Sequence, residues 1–274
     1  MKIMHDINTL SIDNTAIIRE GAKIGQNVKI GPYCIVGSEV ELGDNVELKS
    51  HVVIDGETFI GSNSVIYPFA SIGTKTQDLK ESSTKARLIV GTNNIIREYV
   101  TINSGSISGV TIVGNNCLFM ASSHVGHDCI IGNNVILANC AAMAGHVILE
   151  DYVRVGGLSA VHQYGRVGAY SIIGGVSGLA RDLIPFGMAI GERATLRGIN
   201  LIGMRRAGFS NKEIMATQNA VDILFGDGYS FNERIAKVSD EFFDVSPVLI
   251  ILRFIKEDSK RSYCKLEKDD RKFS

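Results

Sequence analysis

The sequence predicts a mainly β protein: a three-sided parallel β-helix followed by a small α-helical domain. Three observations carry this. An apolar residue recurs every six positions, a small or β-branched residue follows four positions later, and both patterns stop near Pro185. Stepping in sixes from Ile12 gives Ile12, Ile18, Ile24, Ile30, Val36, Leu42, Leu48, Ile54, Ile60, Ile66 and Ile72. A second run starts at Val113 and continues through Phe119, Val125, Ile131, Leu137, Met143, Leu149, Val155, Val161, Val167 and Ile173 to Leu179. With 45% of the chain hydrophobic, the odds of this happening by accident are roughly one in 10^8.

Each element follows from that period. The large residue points inward, often with Gly after it (Gly25, Gly31, Gly37, Gly114, Gly132, Gly156), and a small one such as Cys117, Ser123, Cys129 or Ala141 points inward next. Short strands bent at such corners stack into a prism with about eighteen residues per coil. The pattern lapses over about 74–88, where a protruding loop is expected to replace a coil, and again over about 103–112. Loops on a rigid solenoid are where binding groups tend to sit. The β-helix is assigned to 1–184 and a helical domain to 185–274. Helices are expected from Ser210 through Phe225 to Gly226, from Ser230 to Phe243, and from Ser246-Pro247 to Glu257, capping the last coil.

Composition narrows the function. Lys+Arg 28 against Asp+Glu 29 lacks the basic excess of a nucleic-acid binder. The longest aliphatic run, Val248 to Leu252, is far short of the ~20 residues of a membrane span, and Asp6 interrupts a signal-peptide reading of the start. A cytoplasmic protein is expected. The five cysteines form no CxxC pair, and Cys34, Cys117 and Cys129 fall at inward positions as core fillers.

An eighteen-residue coil places residues 18 apart side by side, at the ~4.8 Å spacing of neighbouring strands. His127 then stacks with Gly145 and Gln163, Asp128 with His146 and Tyr164, and Gly126 with Ala144 and His162. With His124 three residues earlier, four of the six histidines gather along one edge. A neutral imidazole suits a general base that takes a proton from an alcohol. The bare Gly145 lets a substrate approach the main chain, where an N–H can hold a developing oxyanion. Asp128 is placed to fix the tautomer of His127. The same imidazoles also suit zinc.

Several segments, taken together, resemble one family: Ile30-Gly31-Pro32-Tyr33-Cys34-Ile35-Val36-Gly37, Leu48-Lys49-Ser50-His51, Phe69-Ala70-Ser71-Ile72-Gly73, Gln77-Asp78-Leu79-Lys80, His124-Val125-Gly126-His127-Asp128-Cys129, Ala144-Gly145-His146-Val147, Val161-His162-Gln163-Tyr164 and Arg205-Arg206-Ala207-Gly208-Phe209. They are similar to the UDP-N-acetylglucosamine O-acyltransferases of lipid A biosynthesis, along essentially the whole chain. The resemblance implies a left-handed parallel β-helix, a homotrimer with active sites between subunits, and transfer of an (R)-3-hydroxyacyl group from acyl carrier protein to the glucosamine 3-hydroxyl of UDP-N-acetylglucosamine. It implies no metal or organic cofactor, since the carrier's phosphopantetheine presents the acyl group. By position it assigns His127 as base, Asp128 as its orienting carboxylate and the Gly145 amide as oxyanion donor. His124, His146, His162 and Gln163 match sugar- or pantetheine-contacting positions. Gln77, Asp78 and Lys80 match a loop reaching the substrate across the interface, Arg206 a phosphate- or carrier-facing base, and Gly175 the acyl-length ruler, whose missing side chain suggests a long chain.

The pattern also departs from the family. Asn103-Ser104 stands where His-Arg is frequent, Ile202 replaces an acidic residue, Ala207 replaces a second Arg, and two residues are missing before Val113. A 3-amino sugar nucleotide therefore stays open as acceptor. Two other classes are weighed: a trimeric zinc carbonic anhydrase built on His124, His127 and His146, and a non-catalytic β-helical scaffold. The first leaves the helical domain unexplained, and the second has no need of four histidines beside a bare glycine. The N-acyltransferase later in the pathway usually carries an extra N-terminal domain, whereas hexads begin here by Ile12. Because the carrier protein is acidic, a basic rim from Arg193, Arg197, Arg205, Arg206 and Lys212 is expected.

Overall fold

The inward hexad residues need a dry interior, and three flat faces closing on one another supply it. The computed structural model describes residues 11–79, 86–106 and 109–267. Within it, strands mostly of two residues build three sheets of eleven, nine and eight strands. Coils pair in parallel with residues 18 apart side by side, as Ile12 with Ile30 and Leu137 with Val155 attest.

The large hexad residues from Ile30 to Ile72 and the small ones, including Cys34, Val46, Cys117 and Cys129, are buried. Each fully buried branched aliphatic contributes about 1.5–3 kcal/mol. Burial also pushes the Cys117 thiol up to about 11 and the Cys129 thiol up to about 12, so both are inert fillers.

The corners need a left-handed backbone residue. Asn27, Asn45, Asn63, Asn93, Asn116 and Asn134 supply it along one edge with φ between 55° and 60°, a conformation asparagine tolerates.

The two loops differ from expectation in an informative way. Ile60 lies beside Val90, 30 residues on instead of 18, and Val90 lies beside Val113, 23 residues on. The first loop therefore adds twelve residues at a corner and replaces no coil. Both insertions spring from the corner between the second and third faces, the one that carries His127 on the coil after the second insertion.

The strands also continue past the expected boundary at 184. Gly187–Ile190 pairs in parallel with Ile172–Ile173 and antiparallel with Thr195–Ile199, so a hairpin covers the last coil before any helix begins. Among the described residues four helices follow: α1 (Leu201–Arg206), α2 (Asn211–Phe225), α3 (Phe231–Glu241) and α4 (Ser246–Lys256). Helix α1 was not among the expected elements. Helices α2 and α3 start in capping boxes, Ser210 with Glu213 and Ser230 with Glu233. Helix α3 stops two residues short of Phe243, and Ser246 lies inside α4, whose cap position is Val245.

Candidate active site

Adjacent side chains in a strand diverge, yet His127 and Asp128 meet. The left-handed φ of 58° at Asp128 turns the chain at the corner and brings its Oδ2 to 2.7 Å from His127 Nδ1. Contacts to the backbone hold this corner. Asp128 Oδ1 accepts from the Ser106 N–H at 2.9 Å, and the Asp128 N–H donates to Thr111 Oγ1 at 2.8 Å. The His146 N–H donates to the His127 carbonyl at 2.9 Å. With the carboxylate accepting from Nδ1–H, the proton-free nitrogen of a neutral His127 is Nε2. Asp78 Oδ2 faces Nε2 at 3.5 Å, beyond hydrogen-bond length.

Gly145 has a further steric role. A Cβ there would lie 2.3 Å from His127 Nε2 and 2.5 Å from Cε1. The missing side chain makes room for the imidazole itself. Among the described residues, no acceptor is seen for the Gly145 N–H.

The rest of the edge is a ladder. The His127 and His146 rings meet edge-on with centroids 5.1 Å apart, and His146 stacks on Tyr164 at 4.5 Å. His146 Nε2 lies 3.5 Å from Asp128 Oδ2 and, among the described residues, is buried without a hydrogen-bond partner. His124 Nδ1 shares a 2.7 Å hydrogen bond with Thr101 Oγ1. His162 and Gln163 line a cavity of about 900 Å³ that also takes in Ala144, Arg181, Glu192 and Arg193.

The other predicted residues are placed as follows. Gln77 is exposed on the first loop, beside Asp78, which reaches its own chain's His127. Lys80 lies outside the described residues. Gly175 is exposed at a different corner, between the first and second faces, and does not join the His127 edge within the chain. Arg206 is exposed in the last turn of α1. Of the expected basic rim, Arg197 is paired with Glu267. Asn103 is buried and donates to the Lys75 carbonyl at 3.2 Å, tying the two loops together. Ile202 is exposed, and Ala207 caps α1.

For a metal, His127, Asp128 and His146 are the described group whose ligand atoms lie within 4.8 Å of one another. His124 is not in it, and the 2.7 Å bond to Asp128 already engages His127 Nδ1. Residues missed at the sequence level are Thr101, Ser106, Thr111, Lys260 and Arg261. Thr101 and Ser106 are hidden by the inserted loops, which break the 18-residue rule.

Burial holds His124 below the ordinary imidazole value, with nearby His127 adding to it. Burial lowers His146 too, against the pull of Asp128. Such a histidine takes its proton more readily when unfolded. Its contribution is intact above the ordinary value of 6.5 and is lost as pH falls from there toward the folded value. The thermal midpoint is expected to drop between about pH 7.5 and 5.5, and a His124→Gln/His146→Gln variant should show a shallower drop. Burial shifts the Glu150 and Asp182 carboxyls upward, and they act with the opposite sign nearer the carboxylate range. Comparing the two melting series isolates the histidine part.

Comparisons with known proteins agree along the chain. Residues 182–264 match the family described as Udp N-acetylglucosamine O-acyltransferase, domain 2, and residues 12–56 and 111–145 match the bacterial transferase hexapeptide family. The chain is 54% identical over 260 residues to an acyl-(acyl-carrier-protein)–UDP-N-acetylglucosamine O-acyltransferase of Rickettsia typhi, covering 94% of this chain and 98% of the relative. Among solved structures, a UDP-N-acetylglucosamine acyltransferase from Campylobacter jejuni superposes with a TM-score of 0.87 at 38% identity, covering 94% of this chain and 100% of that one. One from Moraxella catarrhalis gives 0.88 at 37%, covering 93% and 99%. The coil is accordingly a left-handed β-helix.

Proposed function

The chain belongs to the UDP-N-acetylglucosamine O-acyltransferase family, and from that premise we propose that it moves an (R)-3-hydroxyacyl group from acyl carrier protein to the glucosamine 3-hydroxyl of UDP-N-acetylglucosamine, in lipid A biosynthesis. The observation that carries the chemistry is the Asp128–His127 pair seated on Gly145. His127 Nε2 takes the proton of the 3-hydroxyl while its oxygen attacks the thioester carbonyl carbon. The Gly145 N–H supports the oxyanion that forms. Collapse breaks the carbon–sulfur bond, and the imidazolium returns the proton to the departing pantetheine sulfur. Asp128 keeps the proton on Nδ1 throughout. Metal and organic cofactors have no part in these steps.

His124, His146, His162, Gln163, Gln77, Asp78, Lys80 and Arg206 are proposed as substrate contacts, and Gly175 as the limit on acyl length. A Cβ on Gly175 would meet only the Gly157 carbonyl, at 3.4 Å, before the backbone nitrogen of the same residue at 4.0 Å, so the position is roomy. A homotrimer in the cytoplasm completes the reading. It is supported by an exposed edge where the rings of Tyr33, His51, Phe69 and Tyr99 follow one another at 5.0 Å intervals and where Leu158 and Val176 lie open on later coils. Among the described residues no helix is long and apolar enough to cross a membrane.

The test is transfer from 3-hydroxyacyl carrier proteins of several chain lengths, with UDP-N-acetylglucosamine and its 3-amino analogue as acceptors. Acylation of the 3-hydroxyl is expected. Transfer only to the amine would reassign the acceptor, and no transfer to either would remove the reading.

A further inference from the structure

The segment after α4 returns to the candidate site, although no periodicity links it to the coils. Ser259 Oγ donates to Oδ2 of the fully buried Asp182. The Asp182 N–H donates to the Ser262 carbonyl at 3.0 Å, and the Cys264 N–H donates to the Asp182 carbonyl at 2.7 Å. Between these anchors, Lys260 Nζ sits 4.2 Å from the centre of the Tyr164 ring. Arg261 Nη2 lies 2.7 Å from His162 Nδ1 and donates to the Gln163 carbonyl at 2.9 Å, while its Nε donates to the same carbonyl at 3.1 Å.

A guanidinium carries only donors. His162 Nδ1 is therefore the acceptor in the 2.7 Å bond, and the 3.3 Å approach of the same nitrogen to the Gln163 carbonyl is not a hydrogen bond of its own. The proton of the neutral ring then sits on Nε2. From this geometry, and resting on the acyltransfer reading above, we infer that Arg261 is a positioning residue: it fixes His162 as a hydrogen-bond donor toward an oxygen of the substrate held in the adjoining cavity. Arg181 and Arg193 also line that cavity against the single carboxylate of Glu192, a net basic lining suited to an oxygen-rich, anionic group such as a phosphate. The planar fork reaches ring nitrogen and carbonyl together in a fixed geometry, which the flexible point charge of a lysine does not reproduce.

The test combines a double-mutant cycle with a tautomer measurement. Arg261→Gln is expected to lower kcat/KM about tenfold, through the KM of one substrate, with kcat within about threefold. KM is read separately for UDP-N-acetylglucosamine and for the acyl donor, which identifies the source of the bound group. Arg261→Lys should restore only part of the loss. In a His162→Ala background, Arg261→Gln should cost no more than about twofold further. Independent losses that multiply in the double variant, or a loss confined to kcat, would overturn the assignment. Nitrogen-15 shifts of His162 in the full-length protein without substrate should show the Nε2–H form in wild type and a mixture in Arg261→Gln. An Nδ1–H ring in wild type refutes the inference even if transfer is found. If transfer is absent, the functional reading fails separately and the shifts alone decide the Arg261 bond.

Discussion

His127→Ala is expected to fold and to lose about 10^2- to 10^4-fold in transfer rate. Nδ1 is committed to Asp128 at 2.7 Å, so Nε2 is the nitrogen left to accept a proton, and alanine removes both. The substitution also strips one partner from a carboxylate that is fully buried, at a cost of about 1–3 kcal/mol. The Ser106 N–H still serves Oδ1, and the long coil stack spreads the loss. His127→Gln fills similar space without a base, so it should match alanine in rate while melting closer to wild type. Single-turnover rates beside thermal unfolding check both parts.

Gly145→Ala carries the second largest effect, about 10^2-fold in kcat with little change in melting temperature. The added Cβ would sit 2.3 Å from Nε2, where ordinary contact begins near 3.4 Å. Either the ring swings away, giving up its 2.7 Å bond to Asp128 and displacing the base, or the backbone yields and moves the Gly145 N–H. A shift of about 1 Å in a reacting group is enough for a loss of that size. A variant with wild-type kcat and an undisplaced ring would show that the close packing of His127 on Gly145 has no catalytic weight.

Much of this arrangement was legible in the chain itself. The hexad residues from Ile12 to Leu179 define the faces, and the 18-residue coil places His127, Gly145 and Gln163 in register because strand pairing repeats without slippage there. What failed did so for physical reasons. The lapse after Ile72 showed a loop but not its origin, since only the pairing of Ile60 with Val90 reveals twelve residues added at a corner. The hairpin Gly187–Ile190 with Thr195–Ile199 was hidden by its glycines and by Pro185, which read as an end to strands. That the His127 ring packs over Gly145 was not legible, because spacing gives neighbours, not which side chain fills a gap. Arg261 was invisible because its partners are nearly a hundred residues away and it lies in a segment with no period.

The central claim, that His127 is the base, is tested most directly by the pH dependence of single-turnover transfer in wild type and His127→Ala. General-base catalysis predicts that the wild-type rate falls about tenfold per pH unit on the acid side as one group takes up a proton. In His127→Ala that limb should vanish and the residual rate should climb with hydroxide. The same acid limb persisting in His127→Ala would assign the titrating base to another residue and contradict the account.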